Sequence, residues 1–205
     1  MKKKAFAVSV ALSLATFISA PSAHADAPKP GQSMTHIKTV AGLSEKLESV
    51  GVILYVQGGA TAAVIGDSIA TPTSQIVFHI PVTATKSGVE HLGSTIAFFN
   101  TVNNKVVQLR NPIIDLKAGV IRAIVPQVGT TALPVLTIAN AAELKTKVTN
   151  DRKAKLRKTL YSGATLTLAP QIGATLNSAL GLADGTIAEG ATFATADVSL
   201  YSAIK

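Results

Sequence analysis

The segment QIVFHIPVT, residues 75–83, alternates along its length. Ile76, Phe78, Ile80 and Val82 fall on one face of an extended chain, and Val77 and His79 on the other. A period of two buries one face of a strand but scatters apolar groups around a helix, whose period is 3.6. The same style of writing runs through the chain. GVILYVQ (51–57), TAAVI (61–65), TIAFFN (95–100), KVVQL (105–109) and PIIDL (112–116) are short apolar or alternating runs. GVIRAIV (119–125), LPVLTIA (133–139), GATLTLA (163–169) and TFATADVSL (192–200) follow at short spacing. Val102, Asn103 and Asn104 form a tight hairpin turn between two of them, because Asn tolerates positive φ. With few helices between them, such strands cannot pair in parallel, which needs long crossovers. The fold class expected is mainly β: an antiparallel β-sandwich or barrel with one or two short helices.

Two segments carry helical spacing. Ile37, Val40, Leu43, Leu47 and Val50 recur every three or four residues, which predicts an amphipathic helix from Thr35 to a stop near Gly51. Pro170 stands at a first helical position, Ile172, Leu176 and Leu180 fall four apart, and Gly181 supplies the stop, so a second helix is predicted over 170–180.

The N-terminus reads as an export signal. Lys2, Lys3 and Lys4 precede an uncharged, mostly apolar run, and Ala23-His24-Ala25 has the small-x-small form of a cleavage site. The division expected is residues 1–25 as signal peptide, 26–34 as flexible leader, and 35–205 as a single β-rich domain. The run is short for a membrane span, and nothing later is long and apolar enough to be one. The chain has no cysteine, so neither disulfides, thiolate metal sites nor cysteine nucleophiles can contribute.

Catalytic motifs are scarce. Gly66-Asp67-Ser68 resembles the first block of GDSL-type esterases, but those need a histidine base late in the chain, and the last histidine here is His91. A serine without a base reads as a turn residue. His36, His79 and His91 form no His-x-His or His-x-x-x-His pair, so no metal site is expected, and the carboxylates are scattered. The expectation is a protein that is not an enzyme.

Charge is concentrated. Of 19 Lys and Arg, three lie in the signal segment, leaving 16 against 11 Asp and Glu. Seven of those cations, Lys145, Lys147, Arg152, Lys153, Lys155, Arg157 and Lys158, surround the single acid Asp151 in LKTKVTNDRKAKLRK. Such a run suits an exposed loop or hairpin that attracts anionic surfaces, or simply a solvated strand edge. No aromatic residue interrupts it before Tyr161, so it lacks the stacking platforms of a nucleic-acid site.

The order GVEHLGSTIAFF, VQLRNPIIDL, GVIRAIV, closed by LTLAPQIGATLNSALG and GATFATADVSL, is similar to secreted actinobacterial β-proteins. Its layout also resembles, distantly, HtaA-type haem-uptake domains, through the histidine-glycine step and the Asn-Pro strand. That likeness implies haem as cofactor, with Tyr55 as axial tyrosinate and His91 hydrogen-bonded to it. From the residues alone, Tyr55 in ILYV is a core or interface side chain and His91 a polar residue at a strand start. The function expected is a secreted, non-catalytic β-domain at the cell surface or in the matrix, binding a cell-wall or extracellular polymer or itself. The alternative is an extracellular small-ligand binder.

Overall fold

The computed structural model describes residues 32–204. The cleavage site and most of the 26–34 leader lie outside the described residues. Ser33 and Met34 lie inside them and already belong to the fold: Val82 donates its N–H to the Ser33 carbonyl at 3.1 Å, and Tyr201 donates to the Ser33 hydroxyl at 2.9 Å.

Twelve strands form one antiparallel sheet. In chain order they are β1 (Met34–Thr39), β2 (Val52–Gly58), β3 (Thr61–Ile65), β4 (Gln75–Pro81), β5 (Val89–Glu90) and β6 (Ser94–Asn100). Then come β7 (Lys105–Asp115), β8 (Val120–Ile124), β9 (Ala132–Ile138), β10 (Lys145–Asp151), β11 (Leu156–Leu168) and β12 (Thr192–Ala203). The hydrogen-bonded path runs β2-β6-β7-β8-β9-β11-β12-β1-β4-β3, with β10 added to β11 and β5 to β7. Its two ends, β2 and β3, are consecutive in the chain and lie side by side across the turn at Gly58 and Gly59. The sheet therefore curls into a nearly closed barrel whose two end strands, β2 and β3, are not paired with each other.

The period of two survives folding. Ile76, Phe78 and Ile80 of β4 are buried while Val77 and His79 face outward. Thr35, Ile37 and Thr39 of β1 point inward beside Ala194, Ala196 and Val198 of β12. The interior is apolar and filled, with Phe78, Phe98, Leu166 and Leu176 almost wholly out of water.

The second helix, α2 (Ile172–Leu180), forms on the predicted spacing but starts two residues later than Pro170, after Gln171 at φ 67°, and Gly181 ends it in a left-handed conformation at φ 68°. It covers one end of the barrel through Ile172, Leu176 and Leu180. Asn100 and Asn103 donate side-chain hydrogen bonds of 2.9 and 2.8 Å to the Leu180 carbonyl, pinning its last turn to the β6–β7 hairpin.

The first helical segment is corrected. Residues 34–39 are strand β1, and only Leu43–Glu48 are helical, as α1. The three-residue spacing of Ile37, Val40 and Leu43 coincides with a helical stripe, but β1 also alternates. Two waiting strands, β4 and β12, satisfy both its backbone edges. Gly42, at φ 74°, separates the two conformations. Three other boundaries move. KVVQL and PIIDL are one strand, β7, carried past a bulge where Asn111 sits at φ 50°. β11 starts at Leu156 rather than Gly163, and β12 runs on to Ala203.

Candidate functional site

His91 is 1% exposed. Its Nδ1 lies 2.9 Å from the Pro112 carbonyl, an obligate acceptor, so Nδ1 carries the hydrogen. Nε2 lies 2.8 Å from the Thr35 hydroxyl and therefore accepts from it. Pro112 belongs to β7, third in the ten-strand path, and Thr35 to β1, eighth. One neutral imidazole thus ties opposite walls of the barrel through the core. Burial lowers the His91 pKa below the ordinary value, against a smaller opposing effect of its backbone hydrogen bonds.

Tyr55 is elsewhere. It stands opposite Ala97, on the face of β2 and β6 that alternates with the buried Ile96 and Phe98. It points away from the interior in which the His91 ring lies. The structure does not bring Tyr55 and His91 together, and both His91 ring nitrogens are engaged by other groups. The tyrosinate–histidine arrangement implied by the haem resemblance is not assembled.

Ser68 sits in the turn after β3. Its hydroxyl accepts the Ala70 N–H at 3.2 Å, and its carbonyl accepts the Thr71 hydroxyl at 3.2 Å. These are the local bonds of a turn residue. Among the described residues, no three His, Cys, Asp or Glu converge as a metal cage.

The basic run is a hairpin. β10 pairs with the first half of β11, from Lys145 opposite Ser162 to Asp151 opposite Leu156. All seven residues of β10 are exposed. Opposite partners share a face, so Lys145, Lys147 and Lys158 project on one side together with Tyr201 of β12, and Arg157 projects on the other. Arg152, Lys153 and Lys155 occupy the turn, where Lys155 takes φ 52°. Asp151 shapes that turn by accepting the backbone N–H of Lys153 and of Ala154, both at 2.9 Å. Lys158 Nζ lies 5.6 Å from the centre of the Tyr201 ring, within reach of a cation–π attraction. The register places this hairpin at the barrel end away from the helices.

At the helical end lies an apolar crevice of about 320 Å³ between α1 and residues 186–192. Leu43, Leu47, Leu176 and Ile187 form its walls, and Phe98 and Phe193 line it with ring centres 6.2 Å apart. Lys46 also borders it.

A contact invisible to sequence spacing joins His36 of β1 to His79 of β4, 43 residues apart and directly opposite in register. Their Nδ1 atoms are 2.8 Å apart and the rings stand at 88°. The His36 pKa is lowered, chiefly by burial and next by His79, while Asp197 opposes the shift. Only the strand order could have revealed this pair. Compared with known proteins, the chain matches no family model, no curated protein and no solved structure.

Proposed function

We propose that this protein is an exported, non-catalytic β-barrel module that attaches to an anionic extracellular surface, such as a cell-wall polymer, through the β10–β11 hairpin. The observation that carries this reading is an edge strand with every residue exposed, continuing into a turn and a second strand that together hold seven cations. An extended basic ribbon can follow a repeating anion and needs no pocket to do so. Self-association through the same edge is the less favoured partner, because Lys145 and Lys147 on β10 oppose strand-to-strand pairing with a second copy.

Replacing Arg152, Lys153, Lys155, Arg157 and Lys158 by Gln removes five charges while keeping Leu156 and Leu160 in the strand. A cation near an anionic surface contributes roughly 1 kcal/mol; at half that value, five of them weaken binding about 70-fold. Sedimentation with purified anionic wall polymer at low salt measures the loss. Binding by the parent must also fall steeply as the screening length shortens from about 10 Å at 0.1 M to about 3 Å at 1 M salt. Parental binding indifferent to salt, or a variant that binds equally, rejects the reading.

A second reading, a binder of small extracellular ligands, is favoured by the apolar crevice at the helical end. Haem or another apolar molecule held there would not use the Tyr55–His91 pair. Protein passed through gel filtration with ferric haem, or with a fatty acid, must retain it stoichiometrically for this reading to stand.

A further inference from the structure

We propose that His36 and His79 form a surface site for one divalent transition-metal ion, with Cu(II) the preferred occupant. The two rings come from adjacent strands whose register sets them directly opposite, so the barrel wall holds them together and no loop has to close over them. Both present Nδ1 toward the other, 2.8 Å apart, so two imidazole nitrogens are already within reach of one shared ion. Two nitrogens bound at about 2.05 Å lie roughly 2.9 Å apart when they subtend 90°, and roughly 3.3 Å apart at the tetrahedral angle. The observed 2.8 Å is the length of a hydrogen bond between the rings, and it leaves the nitrogens close to the separation of a right-angled bite, so only a small reorientation is needed. Tetragonal N,O coordination is the preference of Cu(II), which also heads the affinity order of divalent first-row metals.

Without metal, one ring donates its Nδ1–H to the lone pair of the other. Metal entry needs both lone pairs, so the donor ring moves its hydrogen to Nε2 and both rings turn slightly toward a shared point. No proton is lost from the pair in this exchange. Water or small anions complete the coordination, since no third His, Cys, Asp or Glu converges there among the described residues. Asp197 lies opposite His36 on the strand at its other side, where its negative charge favours a bound cation. One carboxylate oxygen of Asp197 is held by the Gly163 N–H at 2.9 Å. Lys158 acts in the opposite sense on His36 and limits the affinity. No thiolate competes for copper, because the chain contains no cysteine.

The test uses the untagged full chain carrying His24→Gln, which removes the one histidine outside the described residues. Cu(II) titrated to one equivalent is expected to give an electron paramagnetic resonance spectrum of a tetragonal ion coupled to two nitrogens. Competition titration should show Zn(II) and Ni(II) binding at least about 10-fold more weakly, following the affinity order. His36→Gln and His79→Gln should each weaken Cu(II) binding at least about 10-fold, with metal-free melting curves confirming that the variants fold. A second measurement needs neither variant. Substoichiometric Cu(II) should broaden the ring proton resonances of His36 and His79 in the parent much more than those of buried His91, which lies on the other side of the barrel wall. Undiminished copper binding in either variant, or equal broadening of all three rings, overturns the proposal, as does a spectrum lacking nitrogen coupling.

Discussion

Gly58→Ala is expected to lower stability by at least about 4 kcal/mol, in the exceptional class of single substitutions and a large share of the 5–15 kcal/mol typical of a folded domain. Gly58 ends β2 at φ +71°, and a Cβ there would lie 1.7 Å from the Gly93 carbonyl oxygen and 2.9 Å from its carbon. These are backbone atoms, so no side chain can swing aside. The Gly93 carbonyl also accepts the Gly59 N–H at 3.3 Å, which helps fasten the turn joining the two ends of the sheet. Relieving the clash therefore means parting the end of β2 from the start of β6, beside the turn that leads into β3. Gly93→Ala is the control. Gly93 has φ +79°, yet nothing lies within 4 Å of the added carbon, so only the left-handed backbone cost of about 1–2 kcal/mol applies. Urea denaturation should place the two midpoints far apart. Equal losses for the two variants would falsify the assignment of Gly58 to a steric role.

His91→Ala is expected to cost about 3–5 kcal/mol, as for other large side chains removed from a packed core. The Pro112 carbonyl keeps the His91 backbone N–H at 3.0 Å, so the group left without a partner is the Thr35 hydroxyl, which is 0% exposed. Thr35→Val breaks the same bond from the other side and strands the Nε2 lone pair, at about 1–3 kcal/mol. Because the two losses share one bond, the double variant should cost clearly less than their sum. Acid should expose the same contact. The folded-state pKa of His91 lies below the unfolded value, so its neutral-state stabilisation is fully present above about pH 6.5 and is lost as pH falls through the folded value. Denaturation midpoints of the parent should therefore drop between pH 7 and 5. His91→Leu, which cannot take up the proton, should drop less, with the remainder including His36, whose pKa is also lowered. An acid dependence identical in parent and His91→Leu would show that the buried imidazole is not the titrating group.

Much of the architecture was legible because its cause is local. Alternation in QIVFHIPVT belongs to residues two apart, and it fixed which face of β4 is buried before any partner strand was known. Gly181 ends α2 through its own backbone preference, whereas Pro170 lies two residues before the first helical residue, Ile172. The stretch from Thr35 to Gly51 misled for the same reason: spacing of three fits a helix, and only the two neighbouring strands, contributed by residues far along the chain, decide for β1. The extension of β11 to Leu156 was hidden by its charges. A strand that projects past the core has no apolar face to announce it.

What the sequence determined by itself is therefore a β-rich fold without disulfides, the second helix, and a concentrated basic segment. Each follows from neighbours in the chain or from composition. The tertiary structure alone decided what the histidines do. The sequence placed His91 at a strand start, whereas it lies between β5 and β6, and its bond to Thr35, 56 positions earlier, depends on β1 and β7 facing each other across the core. His36 and His79 meet only because β1 is inserted between β12 and β4. Tyr55 is kept from His91 by the pleat, which sends its side chain to the other face of the wall. Contacts of this kind are set by strand order and register over the whole barrel, and no window of local sequence contains them.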